Sequence, residues 1–274
     1  MDWRFVVGAA CLVAVSWGPA LAQGQPAAAR APDPLVMPLR LATGELPPYA
    51  TAARPDQGIA LDIVRRAFAY AGFEVQYTFK PWTRSLEEAR AGQWDGTAYW
   101  GRNPQRDKGF LISDNVLTEQ WVFVYRDNPA AKSFDWKTLQ DLAGLRVGAV
   151  QSYTYTPEFW RLQAAGTLNV SLAGDDLANL RLLLAGRLDV VPIERNVACY
   201  LMGAHLVPAE AAQLRAHPRL LTRQFTTHLM LSDKLPQSVA RMRAFNQGLR
   251  ILQGSHEYAE LLHLPGCSLN PRAR

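Results

Sequence analysis

The chain has 274 residues, 49% of them hydrophobic, with 29 lysines and arginines against 24 aspartates and glutamates for a formal net charge of +5. That length suits one large domain or two smaller ones, and the apolar share is enough to build their cores, which excludes a fibrous or disordered protein. The basic residues are spread along the chain with no lysine/arginine block and no aromatic-basic interleaving, so no nucleic-acid partner is expected and the charge serves solubility.

The N-terminus reads as an export signal. Arg4 precedes an apolar run at 5–17, and Ala20-Leu21-Ala22 supplies the small residues of a cleavage site, so residues 1–22 are expected to be removed. A membrane anchor needs about 20 consecutive apolar residues, and this run stops at Gly18-Pro19. The residue after the cleavage point is Gln23 and not a cysteine, so no lipid anchor is expected. Export places the mature chain in an oxidising compartment, most simply a bacterial periplasm. Cys11 falls in the signal; Cys199 and Cys267 remain, and their separation in sequence leaves a disulfide between them open. Residues 23–35, rich in Ala, Pro and Gln, read as a flexible leader.

From there the elements alternate. A strand is expected at 39–42, then a turn through Pro47-Pro48-Tyr49, and a helix over 59–72 in which Leu61, Val64, Ala67, Phe68 and Ala71 recur at three- and four-residue spacing. Strand 74–79, helix 81–91 closed by Gly92, and strand 96–100 complete a β-α-β-α-β series, which favours a parallel sheet covered by helices. An apolar strand at 118–125 follows, then a helix over 134–142 capped by Asp135, and a strand at 146–150. Thr156-Pro157-Glu158 reads as a helix start, with a capping hydroxyl, proline at the first position and an acid in the first turn. Asp175 or Asp176 caps a helix running to Ala185, and a buried strand is expected at 189–193. Helices at 194–203 and 208–216, a strand at 221–231 and helices at 236–254 and 256–262 close the chain. The expected division is signal 1–22, leader 23–35, first lobe 36–124, second lobe 125–224, return to the first lobe 225–264 and tail 265–274. A cleft between lobes is where a small ligand sits.

Within this frame 94–114 stands out: Trp94-Asp95-Gly96, the aromatics Tyr99 and Trp100, a Gly-Arg-Asn-Pro turn, and Arg106 seven residues before Ser113. A guanidinium beside an aromatic wall offers a fixed fork of donors to a carboxylate. Together with Gly58 to Asp62, Arg146 to Thr154 and Ala185 to Glu194, the stretch resembles the periplasmic solute-binding proteins of family 3, which serve polar amino acid ABC transporters. The resemblance spans residues 39–264. It implies an α/β two-lobe periplasmic-binding-protein type II fold with a hinge of two crossing strands. It also implies capture of a small polar or zwitterionic solute for a permease of the inner membrane, by a monomer needing no cofactor and no metal.

On the same basis Arg106 would hold the ligand carboxylate, with Thr154 and neighbouring Ser152 donating to it, and the helix after Thr156 would turn its backbone donors toward the same place. Glu194 would take the ammonium, because a zwitterion needs both charges met. The chain departs from the family pattern at Tyr99 and Trp100, which stand where hydroxyls are usual. With Trp82 and Tyr49 they would make an aromatic pocket suited to a ring or a methylated ammonium, and Glu45 would meet a cationic tail. Two other readings share the fold: an exported dehydratase of cyclohexadienyl acids with Glu194 as general acid, and a sensory protein docking on a receptor. No enzyme is expected, since Gly-x-Ser-x-Gly and His-Glu-x-x-His patterns and phosphate-cradling loops are missing from the sequence.

Overall fold

The computed structural model describes residues 1, 38–127, 134–151, 153–263 and 269. Most of the signal and leader, Ser152, Cys267 and most of the tail lie outside them. The elements below all belong to one compact unit, Asp33–Arg274.

Strand β1 (Leu39–Thr43) buries Leu39 and Leu41 while Arg40 between them faces solvent. Helix α1 (Ile59–Ala69) sets Leu61, Val64 and Phe68 at helical spacing, all of them buried. Strand β2 (Val75–Phe79) pairs parallel with β1, and after helix α2 (Trp82–Arg90) strand β3 (Gly96–Gly101) pairs parallel with β1 on its other side. The expected parallel β-α-β-α-β unit is therefore present. Two short strands follow, β4 (Phe110–Ile112) and β5 (Leu117–Glu119).

The apolar run at 118–125 is not one strand. It breaks at Gln120, where Gln120 N–H donates to Glu194 at 3.2 Å and its carbonyl accepts from Arg195 N–H at 2.9 Å. Before the break the chain pairs in the first sheet; after it, as β6 (Trp121–Arg126), it belongs to a second sheet. Residues 134–142 also depart from expectation. Only a single 3-10 turn forms, Leu139–Leu142, and it is capped by Thr138. Asp135 instead bonds the His217 ring at 3.0 Å. A capping residue does not make a helix by itself, since most helical stability comes from packing of an apolar face.

The second sheet continues through β7 (Arg146–Val150), α3 (Pro157–Ala164), β8 (Asn169–Ala173), α4 (Asp176–Leu184) and β9 (Val190–Glu194). Thr156 caps α3 and Asp175 caps α4 by side-chain bonds to Phe159 and Ala178 N–H. Helices α5 (Arg195–His205) and α6 (Pro208–Ala211) lead to strand β10 (Leu214–Leu220). The helix expected to 216 ends early because Leu214 and Ala216 are buried as an edge strand antiparallel to β6. Pro218 is tolerated there because an edge strand can leave a donor out. The second sheet runs β10-β6-β9-β7-β8.

The chain then returns. Strand β11 (Phe225–Ser232) enters the first sheet antiparallel, giving the order β2-β1-β3-β11-β4 with β5 also on β11. Residues 117–122 and 220–227 thus run antiparallel across the gap between the sheets: Thr118 pairs with Thr226 and Val122 with Leu220. Helix α7 (Ser238–Gln253) then packs on α1, and α8 (His256–Leu262) closes the described chain. Phe68 and Phe245 meet at 4.9 Å between ring centres there, while Phe123, Trp136 and Phe159 form the apolar centre of the second half.

Gly248 fixes how closely α1 and α7 approach, since a Cβ there would stand 1.9 Å from the Ala67 carbonyl oxygen. Gly248→Ala is expected to lower the unfolding free energy by about 1–3 kcal/mol, read from urea denaturation followed by circular dichroism.

Candidate functional site

Between the two sheets, against the crossing strands, lies a cavity of about 60 Å³. That volume holds a few waters at most, so a larger guest requires the two halves to separate. Its walls are aromatic. Trp82 and Trp100 meet edge to face at 5.1 Å from the first half, and Trp121 packs against Phe225 at 5.2 Å and Tyr153 at 5.9 Å from the second half and the crossing strands.

A distortion in β3 decides which aromatic faces the cavity. The β3–β11 register shifts between His228 and Met230, and Tyr99 within it has φ of 70°, a left-handed backbone rare for a bulky residue. As a result Trp100 lies on the same side as Thr97, its indole N–H donating to the threonine hydroxyl at 2.7 Å, and lines the cavity. Tyr99 turns to the other side, stacks near Tyr49 at 5.3 Å and donates to Glu119. Gly101 follows at the cavity edge, where a Cβ would strike the Phe225 ring at 2.9 Å.

Arg106 crosses the gap. Its Nη1 donates to Thr154 Oγ1 at 2.8 Å, and its guanidinium lies 4.8 Å from the Trp100 ring centre. The adjacent Asp107 pairs with Arg102 instead, at 2.7 Å, and no described carboxylate reaches ion-pair distance of Arg106. Burial pushes its basicity below that of an ordinary arginine. Thr154 is held from below: the Trp160 indole N–H on α3 donates to its carbonyl at 2.9 Å.

Glu119, which sequence reasoning missed, lines the same cavity with only 2% of its surface exposed. Its oxygens accept from the Tyr99 hydroxyl and from the Trp121 indole N–H at 2.5 Å. Burial first, and the charge of Glu194 second, push its pKa well above the carboxylate range. The signal was there to read: Glu119 and Gln120 interrupt an apolar run, and a carboxyl bound for the interior must find partners or serve a function.

The other expected residues fall elsewhere. Glu194 is buried at 1% exposure and caps α5, with Oε2 accepting from Asn196 and Val197 N–H at 2.7 and 3.0 Å. It lines a separate cavity behind the crossing strands, with Tyr49 and Asn196. Tyr49 accepts from the Asn196 side chain at 2.7 Å. Glu45 is exposed and accepts from Ala52 N–H at 3.0 Å in its own turn. Thr156, at the start of α3, lines an outer groove beside Lys137 and Arg219. Ser152 lies outside the described residues. Cys199 is disulfide-bonded, and Cys267 lies outside the described residues. Of the expected set, the structure gathers Trp82, Trp100, Arg106 and Thr154 around one cavity.

Behind Tyr153 stands a further acid. Asp176, 3% exposed, accepts from the Tyr153 hydroxyl at 2.9 Å, and burial raises its pKa to about 7. The sign follows from the direction: a raised acid contributes its stability below its unfolded value of 3.8 and loses it as pH rises through about 7. Glu119 and Glu194 act in the same sense. The melting temperature is expected to fall between pH 5 and pH 8, by an amount worth about 1–4 kcal/mol, and Asp176→Asn should flatten the decline.

A model of the bacterial extracellular solute-binding proteins, family 3, matches residues 39–263. The chain belongs to that family. No curated sequence matches it significantly. Among solved structures, the chain is similar to the ligand-binding core of GluR0 from Nostoc punctiforme in complex with L-glutamate, at 17% identity and a TM-score of 0.64, covering 82% of this chain and 97% of that one. It is also similar to an ancestral arginine-binding protein bound to arginine, at 16% identity and a TM-score of 0.65, covering 83% and 97%. A histidine kinase sensor domain with similarity to periplasmic binding proteins matches at 18% identity and a TM-score of 0.64, covering 83% and 95%. These likenesses establish the periplasmic-binding-protein type II fold for the family 3 chain. Among the described residues no helix is long and apolar enough to cross a membrane, and no group of three potential metal ligands gathers.

Proposed function

We propose that this family 3 protein captures a small polar or zwitterionic solute between two lobes built on its two sheets and presents it to an ABC permease outside the cytoplasm. The observation that carries this reading is Arg106: a half-buried guanidinium with no carboxylate partner among the described residues, bonded across the gap to Thr154 at 2.8 Å inside an aromatic cavity. A solute carboxylate placed between Arg106 and Thr154 would replace a neutral hydroxyl with an anion and restore the charge balance. Trp82, Trp100, Trp121 and Phe225 would cover its apolar or cationic part. The amino acids in two similar structures, glutamate and arginine, carry the carboxylate this site would take.

One lobe would hold the first sheet, β1 to β5 with β11, and the other the second sheet, β6 to β10. They would close about the crossing strands, and no bond would be made or broken. Calorimetry with the L-amino acids, glycine betaine and small organic acids tests the reading. Binding of one of them to the parent and its loss in Arg106→Ala is expected, and no binding by any member would sink it. The likeness to a histidine kinase sensor domain supports a second reading, in which the closed form docks on a receptor. Genes for a permease and an ATPase found beside this one would accord with transport, and a kinase gene found there with sensing.

A further inference from the structure

The cavity holds one cation and one acid that do not pair with each other. Among the described residues Arg106 has no anion within ion-pair distance, and the donors to Glu119 are the neutral Tyr99 hydroxyl and Trp121 indole. Two neutral donors occupy two of the roughly four lone-pair positions of a carboxylate, so room remains for another donor. The groups facing Glu119 are Tyr99 on β3, Tyr49 before α1, Glu194 at the end of β9 and Tyr153 after β7. None is a cation, and one is a second acid.

We propose that Glu119 is the selecting residue of the site: a cationic nitrogen of the solute docks on its carboxylate, and Glu119 releases a proton to solvent as that contact forms. This rests on the zwitterion reading above and assigns its positive end to a residue on the hinge. In the step, the Glu119 O–H gives its proton to buffer and the carboxylate left behind meets the ammonium, which keeps its own protons. Glu194 cannot serve as well, because its oxygens already take Gln120, Asn196 and Val197 N–H and it lines the other cavity. Asp176 stands behind the Tyr153 hydroxyl. Burial favours the protonated form of Glu119, so a contact with its carboxylate would expel a proton. The five aromatic side chains that line its cavity favour a cation as well. Because the acid sits where the chain crosses between sheets, a change in its charge is felt at the hinge itself.

The test is isothermal calorimetry of the full mature chain at pH 7.0, in phosphate and in Tris, with the twenty L-amino acids and glycine betaine, the tightest binder then being compared with the same acid lacking its nitrogen. The expected results are a buffer-dependent enthalpy that reports proton release, and loss of that release in Glu119→Gln with affinity down about 10- to 100-fold. Glu194→Gln should keep both, and the nitrogen-free acid should bind the parent at least about tenfold more weakly. The parent's buffer dependence stands even if Glu119→Gln fails to fold. Buffer-independent binding, or a nitrogen-free acid bound as tightly as its parent, overturns the role of Glu119 while the carboxylate site stands. Absence of binding by every probe overturns both readings.

Discussion

Arg106→Ala is expected to weaken solute capture by at least about a hundredfold while the unliganded protein melts within a few degrees of the parent. The two halves of this expectation have one cause. In the folded chain the guanidinium is partly desolvated, and its only side-chain acceptor among the described residues is the Thr154 hydroxyl at 2.8 Å. Removing it costs one hydrogen bond and the stacking on Trp100 but relieves an uncompensated buried charge, and these terms offset. With a carboxylate in place the balance changes, because a charge-assisted fork is lost and an anion is left buried without a cation. Calorimetry on the tightest-binding amino acid, alongside a melting curve, separates capture from folding. A variant that binds as the parent does would remove Arg106 from the site. One that melts far lower would show instead that Arg106 is a structural pin between the halves.

Arg241→Ala is expected to have the larger effect on stability, about 3–5 kcal/mol. Arg241 on α7 is 3% exposed and its Nη1 lies 2.6 Å from Asp95 Oδ1. Asp95 opens β3 and also accepts from Arg40 N–H on β1 at 2.8 Å. Truncating the arginine leaves Asp95 buried without its cation, and it unties the returning C-terminal helix from the sheet that precedes the crossing. Guanidinium denaturation read by tryptophan fluorescence gives the figure. A change under about 1 kcal/mol, the size of an exposed pair, would mean that water reaches Asp95.

How much of this was legible beforehand follows the range of the interactions involved. The parallel unit at 39–101 is built from local apolar spacing and short connections, and it appears as read. The Arg106 and Thr154 meeting was accessible only through resemblance, since 48 residues separate them and no periodicity links them. Three features needed the tertiary fold. Strand β10 exists because β6 offers it an edge, so a helix-like pattern at 208–216 was overridden. Gln120 splits a continuous apolar run because two sheets claim its two ends. Tyr99 and Trp100 were expected to face one pocket together, but the left-handed backbone at Tyr99 sends it to Glu119 and leaves Trp100 on the cavity wall. The resemblance gives the ammonium to Glu194, but Glu194 caps α5 and Glu119 lines the cavity.

The space between the crossing strands and the aromatic walls is expected to receive a solute by its carboxylate. A crystal structure of the mature chain with the amino acid that calorimetry finds tightest tests it most directly. The carboxylate is expected within hydrogen-bond distance of the Arg106 guanidinium and the Thr154 hydroxyl, under the Trp100 ring. A solute seated in the outer groove beside Lys137 and Arg219, or in the central cavity with its carboxylate turned away from Arg106, would contradict it.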